Sequence, residues 1–260
     1  MANIFISSSL IQVASIAAGC NVNVDECNLE IYGFKPSSLI TTIFFVSSIL
    51  TTFTMPVIGS ILEYTSLRKT LGVVTASLLW ICQSTQFFIN ESTWLTLAIF
   101  QAFSGFLYGI QVLTFSSYLP DIGKTVGTER MTDFAAIFNS VLFVSCMLFL
   151  VVVDAIAFTA GFGDVRTTQV SQAINFFILP SLLGFAWKNL PSAPATQSFE
   201  PGQNILSTGF LQMWKIAKKV NNDFGDGLLF FFIATIFAEA GESKYGIDRL
   251  LTQSNMYFTH

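Results

Sequence analysis

Four residues in one uncharged run raise the first chemical question. Gln101, Ser104, Tyr108 and Gln111 fall between Ser92 and Pro120, a stretch with no charged side chain. A helix turning about 100° per residue places all four within about an 80° arc, one polar stripe on an apolar cylinder. Such a stripe can offer hydrogen bonds to a small polar solute. It can equally be glue between helices, since Gln and Ser bond across membrane helices for about 1 kcal/mol each. Both readings are open at this stage. Gln12 and Glu239 join the same candidate set, because a polar residue at membrane depth is costly and marks a site by default. Glu239, in "FFFIATIFAEAG", either carries a proton in a coupled mechanism or sits in water at the end of a short span.

Other chemistry has little to stand on. The single histidine, His260, is the last residue, and no phosphate loop, nucleophile elbow or metal-ligand spacing occurs. An enzyme is not expected, nor a cofactor or metal. The bases are too scattered for a nucleic-acid face. Cys82 and Cys146 lie in apolar runs and read as packing residues. Cys20 and Cys27 lie in the first polar loop and can form a disulfide if that loop faces an oxidising compartment.

The elements that must position these residues are set by composition. Of 260 residues, 52% are hydrophobic and 11% charged, with 28 Phe. Soluble domains carry about 25% charged residues, so this chain cannot cover a water-facing surface. It reads as an integral membrane protein whose main partner is the lipid bilayer. Charge is absent from residues 1–24, 36–62, 70–90, 92–120, 134–153 and 167–187. Each run can hold a spanning helix of roughly 18–25 residues. None alternates as a barrel strand does, so the expected fold is all-α. A seventh, shorter run covers 227–238.

The expected organisation is a six-helix transmembrane bundle over 1–188, a linker over 189–225, and a seventh, partial helix with its tail over 226–260. The linker is rich in Pro, Ser, Gly and Thr. It ends in "LQMWKIAKKVNND", where Leu211, Trp214 and Ile216 oppose three lysines as in a surface-lying amphipathic helix. Orientation follows from the bases. With the N-terminus cytoplasmic, the inner loops hold Arg68, Lys69, Lys124, Arg130, Lys188, Lys215, Lys218 and Lys219, while the outer loops hold Lys35 and Arg166. That is the positive-inside pattern. An apolar start ending in "AAGC" also fits a cleaved leader, but it lacks the basic n-region such leaders carry.

The loop between the second and third spans reads "GSILEYTSLRKTLG". Gly59 allows close backbone approach, Glu63 can accept hydrogen bonds at a helix end, and Arg68–Lys69 anchor the loop inside. Gly, three residues, an acid and then a basic pair resembles the signature loop of the major facilitator superfamily. The acid–Tyr sequence with its delayed basic pair resembles the branch of autophagy-related vacuole effluxers. So do "SSYLPDIGKTVGTERMTDFAAIFNSV" and "KPSSLITTIFFVSSILTTFTMPVIGSI". The general superfamily pattern has Asp at Glu63, a base at Tyr64 and Gly at Ser66. The resemblance covers about residues 30–240.

What the resemblance implies is alternating-access transport by two six-helix bundles. Helices one, four and seven line the cavity, and the signature loop holds one of the two states. It further implies a vacuolar membrane and efflux of neutral amino acids or similar small polar solutes; a coupling proton would be carried by Glu239. Seven helices supply about half of such a transporter. The expectation is therefore a partner for the bundle: a C-terminal half, a second copy or another membrane subunit. The alternative is a non-transporting interaction subunit of a larger membrane complex.

Overall fold

The computed structural model describes residues 3–20, 27, 29–192, 194–195 and 204–224, with single positions 227, 230 and 234. Within them the helices are α1 (Asn3–Ala17), α2 (Leu39–Tyr64), α3 (Arg68–Thr85), α4 (Trp94–Ser116), α5 (Leu119–Val126), α6 (Thr128–Ala160), α7 (Asp164–Asn189) and α8 (Ile205–Phe224). Five stretches, built on α2, α3, α4 with α5, α6 and α7, are long and apolar enough to cross a membrane; α1 is a shorter apolar helix. The chain is an all-α membrane protein. Residues 1–205 and 206–260 are separate compact units, and α8, with its three lysines, belongs to the second. The seventh run and Glu239 lie outside the described residues, apart from positions 227, 230 and 234.

Two elements go beyond the uncharged runs. A short helix, α5, forms between the fourth and fifth of them, and α6 runs for 33 residues rather than the 20 of its uncharged core. The left-handed Gly161 (φ 63°) ends α6 and turns the chain straight into α7. Asp133 and Asp154 are carried inside α6 on exposed positions near its ends, where a carboxylate stays close to water.

In the first unit α3 packs against α4 and α7, α2 packs against α4, and α1 packs against α7. Lipid gives helices no hydrophobic reason to associate, so close approach and hydrogen bonds must hold them together. On α4 the pair Gly105 and Gly109 supplies the approach. A Cβ at Gly105 would stand 2.7 Å from Ser47 Oγ, and one at Gly109 would stand 2.9 Å from Met55 Cε, both on α2. A Cβ on Gly72 of α3 would overlap the Trp187 ring of α7. That ring also stacks on Phe115, with centroids 4.7 Å apart. Gly59 corrects an expectation: a Cβ there would meet nothing within 4 Å. The glycine in the signature loop is not a point of close approach; those on α3 and α4 are.

Hydrogen bonds fasten the remaining contacts. Thr168 donates to Phe5 O at 2.7 Å and lies 2.6 Å from Ser9 Oγ, which ties α1 to α7. Pro180 lies inside α7. Having no N–H, it cannot bond the carbonyl four residues earlier, Phe176 O. Trp80 of α3 takes over, donating its Nε1–H to Phe176 O at 3.1 Å. The indole thus fills a gap in one helix from the side of another.

Overlap of an added methyl with Trp187 makes Gly72→Ala destabilising by about 1–3 kcal/mol. Gly184→Ala, whose Cβ would meet nothing within 4 Å, should be neutral or slightly stabilising. Thermal unfolding of both variants in detergent reads the difference.

Candidate functional site

The loop expected to act as a signature is built around one buried cation. Arg68 opens α3 and is only 4% exposed. Its Nε–H donates to Leu62 O in the last turn of α2 at 2.6 Å. One terminal nitrogen donates to Ser117 O at the end of α4 at 3.4 Å, and to Asp121 Oδ2 in the first turn of α5 at 3.1 Å. Lys69 donates to Leu190 O, at the end of α7, at 2.7 Å. The last four carbonyls of a helix have no partner inside it, and they carry the negative end of its dipole. Two adjacent bases therefore hold the C-terminal ends of α2, α4 and α7. Asp121 sits favourably at the N-terminus of α5 and takes a second base, Lys124, at 3.3 Å. Glu63 is half-buried in the last turn of α2.

The polar stripe of α4 divides. Gln111 is fully engaged: its Nε2 donates to Gly72 O at 2.7 Å and to Thr75 Oγ1 at 2.5 Å, and its Oε1 accepts from Trp187 Nε1 at 3.3 Å. One amide joins three helices. Gln101 Oε1 accepts from Gln86 Nε2 at 2.6 Å, in the turn after α3. Ser104 is buried, and its hydroxyl has no partner among the described residues. Tyr108 lies in the same arc yet is 57% exposed. Gln12, on α1, is half-buried with an unpartnered Oε1. Cys20 and Cys27 are joined as a disulfide, with Cα atoms 5.8 Å apart.

Two residues of this layer escaped the sequence reading. Gln86 Oε1 and both amide atoms of Gln172, a residue 2% exposed on α7, are buried without a partner. Trp80 against Phe176 fixes the antiparallel register of α3 and α7. That register brings the turn carrying Gln86 level with the one carrying Gln172. The signal was present: amides at 83 and 86 inside one uncharged run, and Thr167, Thr168, Ser171 and Gln172 crowded into the first turns of another. Among the described residues no three His, Cys, Asp or Glu gather at metal-binding range.

Five stretches long and apolar enough to span a membrane define a multi-pass membrane protein. The family described as Vacuole effluxer Atg22 like matches residues 2–135, and the chain belongs to that family. The matched range takes in Arg68, Lys69 and Asp121, the α2–α4 contact and the whole polar stripe, and ends before α7. No curated protein and no solved structure matches the chain.

Losing Arg68 strips two helix ends of their donor and leaves Asp121 without its buried partner. Arg68→Ala should cost about 3 kcal/mol, the lower end for breaking a buried ion pair, because Asp121 is partly solvated. Asp121→Ala should cost about 1 kcal/mol, since the carbonyl bonds of Arg68 remain. Urea or thermal unfolding of the two variants in one detergent gives the ranking, and a larger loss for Asp121→Ala would contradict it.

Proposed function

We propose that this chain is one bundle of a secondary active transporter that moves small polar solutes, neutral amino acids among them, across the vacuolar membrane by alternating access. The observation that carries the reading is the set of buried polar atoms without a partner: Gln86 Oε1, Ser104 Oγ and the amide of Gln172. In hydrocarbon each such group costs on the order of 1–3 kcal/mol, and it is kept where water or a solute satisfies it. The groups are uncharged and carry both donors and acceptors, which suits a small polar or zwitterionic solute. Tyr108, exposed on the same arc of α4, is the residue placed to meet it first. Gln101 and Gln111 act mainly by holding the helices in register.

Arg68 and Lys69 form a latch within this bundle: they hold the ends of α2, α4 and α7 together, so that the bundle moves as one rigid body against its partner. Glu239 is the acid available for a coupling proton. The Cys20–Cys27 disulfide supports an oxidising, lumenal face for that loop. It therefore supports a cytoplasmic N-terminus, with the latch on the cytoplasmic side. Alternating access needs a bundle facing this one, supplied by further chain, a second copy or another membrane subunit. One observation favours the second reading, an interaction subunit: α6 is exposed along most of its length, with Phe134, Phe138, Phe143 and Leu148 all outward.

Amino-acid flux in proteoliposomes tests the proposal, with the chain alone and with any subunit that co-purifies. Gln172→Leu should lower flux at least about tenfold without lowering the unfolding temperature, since an apolar isostere removes an unsatisfied buried amide. Gln111→Leu should instead lower the unfolding temperature. Absence of flux under every condition would move the assignment to the interaction subunit.

A further inference from the structure

A groove runs between α3 and α7. Val73, Ser77 and Trp80 line it from α3, and Pro180, Gly184 and Trp187 from α7, enclosing about 130 Å³. Gly184 keeps it open: it has no side chain, and a Cβ there would meet nothing within 4 Å. Each wall continues into a lysine. Lys69 precedes Val73 by four residues on α3, and Lys188 follows Gly184 by four on α7, so each stands one turn beyond the groove on its own stripe. The helices are antiparallel, so both lysines lie at the same end, as the bond from Lys69 to Leu190 O confirms. Among the described residues neither has an acidic partner. The bond to Leu190 leaves Lys69 two more N–H donors.

We propose that this groove binds one anionic glycerophospholipid, its phosphate between Lys69 and Lys188 and one acyl chain lying along the groove towards Trp80. Charge complementarity selects the occupant. Two cations with no acidic partner among the described residues, at one end of an apolar slot, match an anion with a hydrocarbon tail. Length agrees: eleven residues from Lys69 to Trp80 span about 16 Å of helix axis, close to the depth of one leaflet, about 15 Å. A second transmembrane helix would fill the slot but would leave both ammonium groups unmatched.

The test is native mass spectrometry of the full chain in mild detergent, with phosphatidylserine or phosphatidylcholine of identical acyl chains. One phosphatidylserine per chain should be retained at least about fivefold over phosphatidylcholine. Lys188→Gln should lower its retention about fivefold, the factor for one basic residue at an anionic surface. Gly184→Leu, which fills the slot and keeps both lysines, should lower it by a similar factor. Arg166→Gln, at the other end of α7, should leave it unchanged. If Gly184→Leu does not fold, Ser77→Leu on the opposite wall replaces it. Equal retention of the two lipids overturns the proposal. So does a Gly184→Leu protein that binds as well as the parent, because the lysines would then be holding headgroups on an open surface. So does a loss with Arg166→Gln as large as with Lys188→Gln.

Discussion

The bundle depends on a pair of adjacent bases that hold three helix ends. Arg68 and Lys69 donate to carbonyls at the C-termini of α2, α4 and α7. At those ends the peptide dipoles point outward and the last carbonyls lack helical partners. Burying Arg68 would be prohibitive without that arrangement. With it, the guanidinium meets two carbonyls and a carboxylate oxygen. Because the bases follow one another at the start of α3, that helix is fixed in rotation and in height relative to the three it touches.

Away from that end, polar contacts and missing side chains bring the helices close enough for Leu79, Cys82, Leu107 and Ile110 to pack together. Gln111 joins α3, α4 and α7 with one amide. Gly72 makes room for the Trp187 ring, and Trp80 repairs the bond that Pro180 removes from α7. The polar residues of the interior thus fall into two kinds. Those with every group bonded define the architecture. Those with a donor or acceptor left over, Gln172 and Ser104 foremost, mark the place where the interior is built for something other than itself.

Much of this was legible in the sequence because charge is so costly in lipid that its absence outlines the spans. Five of the six predicted runs correspond to helices long enough to cross, and the apolar start corresponds to α1. The same rule blurred the ends of α6, because Asp133 and Asp154 lie where a carboxylate still reaches water. The arc of Gln101, Ser104, Tyr108 and Gln111 followed from helical periodicity. Which of them is structural did not, since it depends on what α3 and α7 present at the same height. Gly59 shows the limit of reading a motif residue by its type: glycine permits a close approach but does not bring a neighbour. The Trp80–Phe176 bond joins residues 96 apart. Only the three-dimensional register reveals it.

The helices also differ in how far each depends on the others, and this bears on how the chain enters the bilayer during synthesis. α6 presents an apolar surface along most of its length and, among its described side chains, carries no buried polar residue. It can leave the translocon sideways into lipid unaided. α3 and α7 cannot do so at equal ease. Each carries buried polar side chains, and the carbonyl that Pro180 bares in α7 is bonded only when Trp80 of α3 is beside it. α3 is made a hundred residues before α7, so it must wait within reach of the insertion machinery until its partner emerges. Assembly of this bundle is then a matter of retention and pairing, with α6 as the segment already moored in the lipid when α7 arrives.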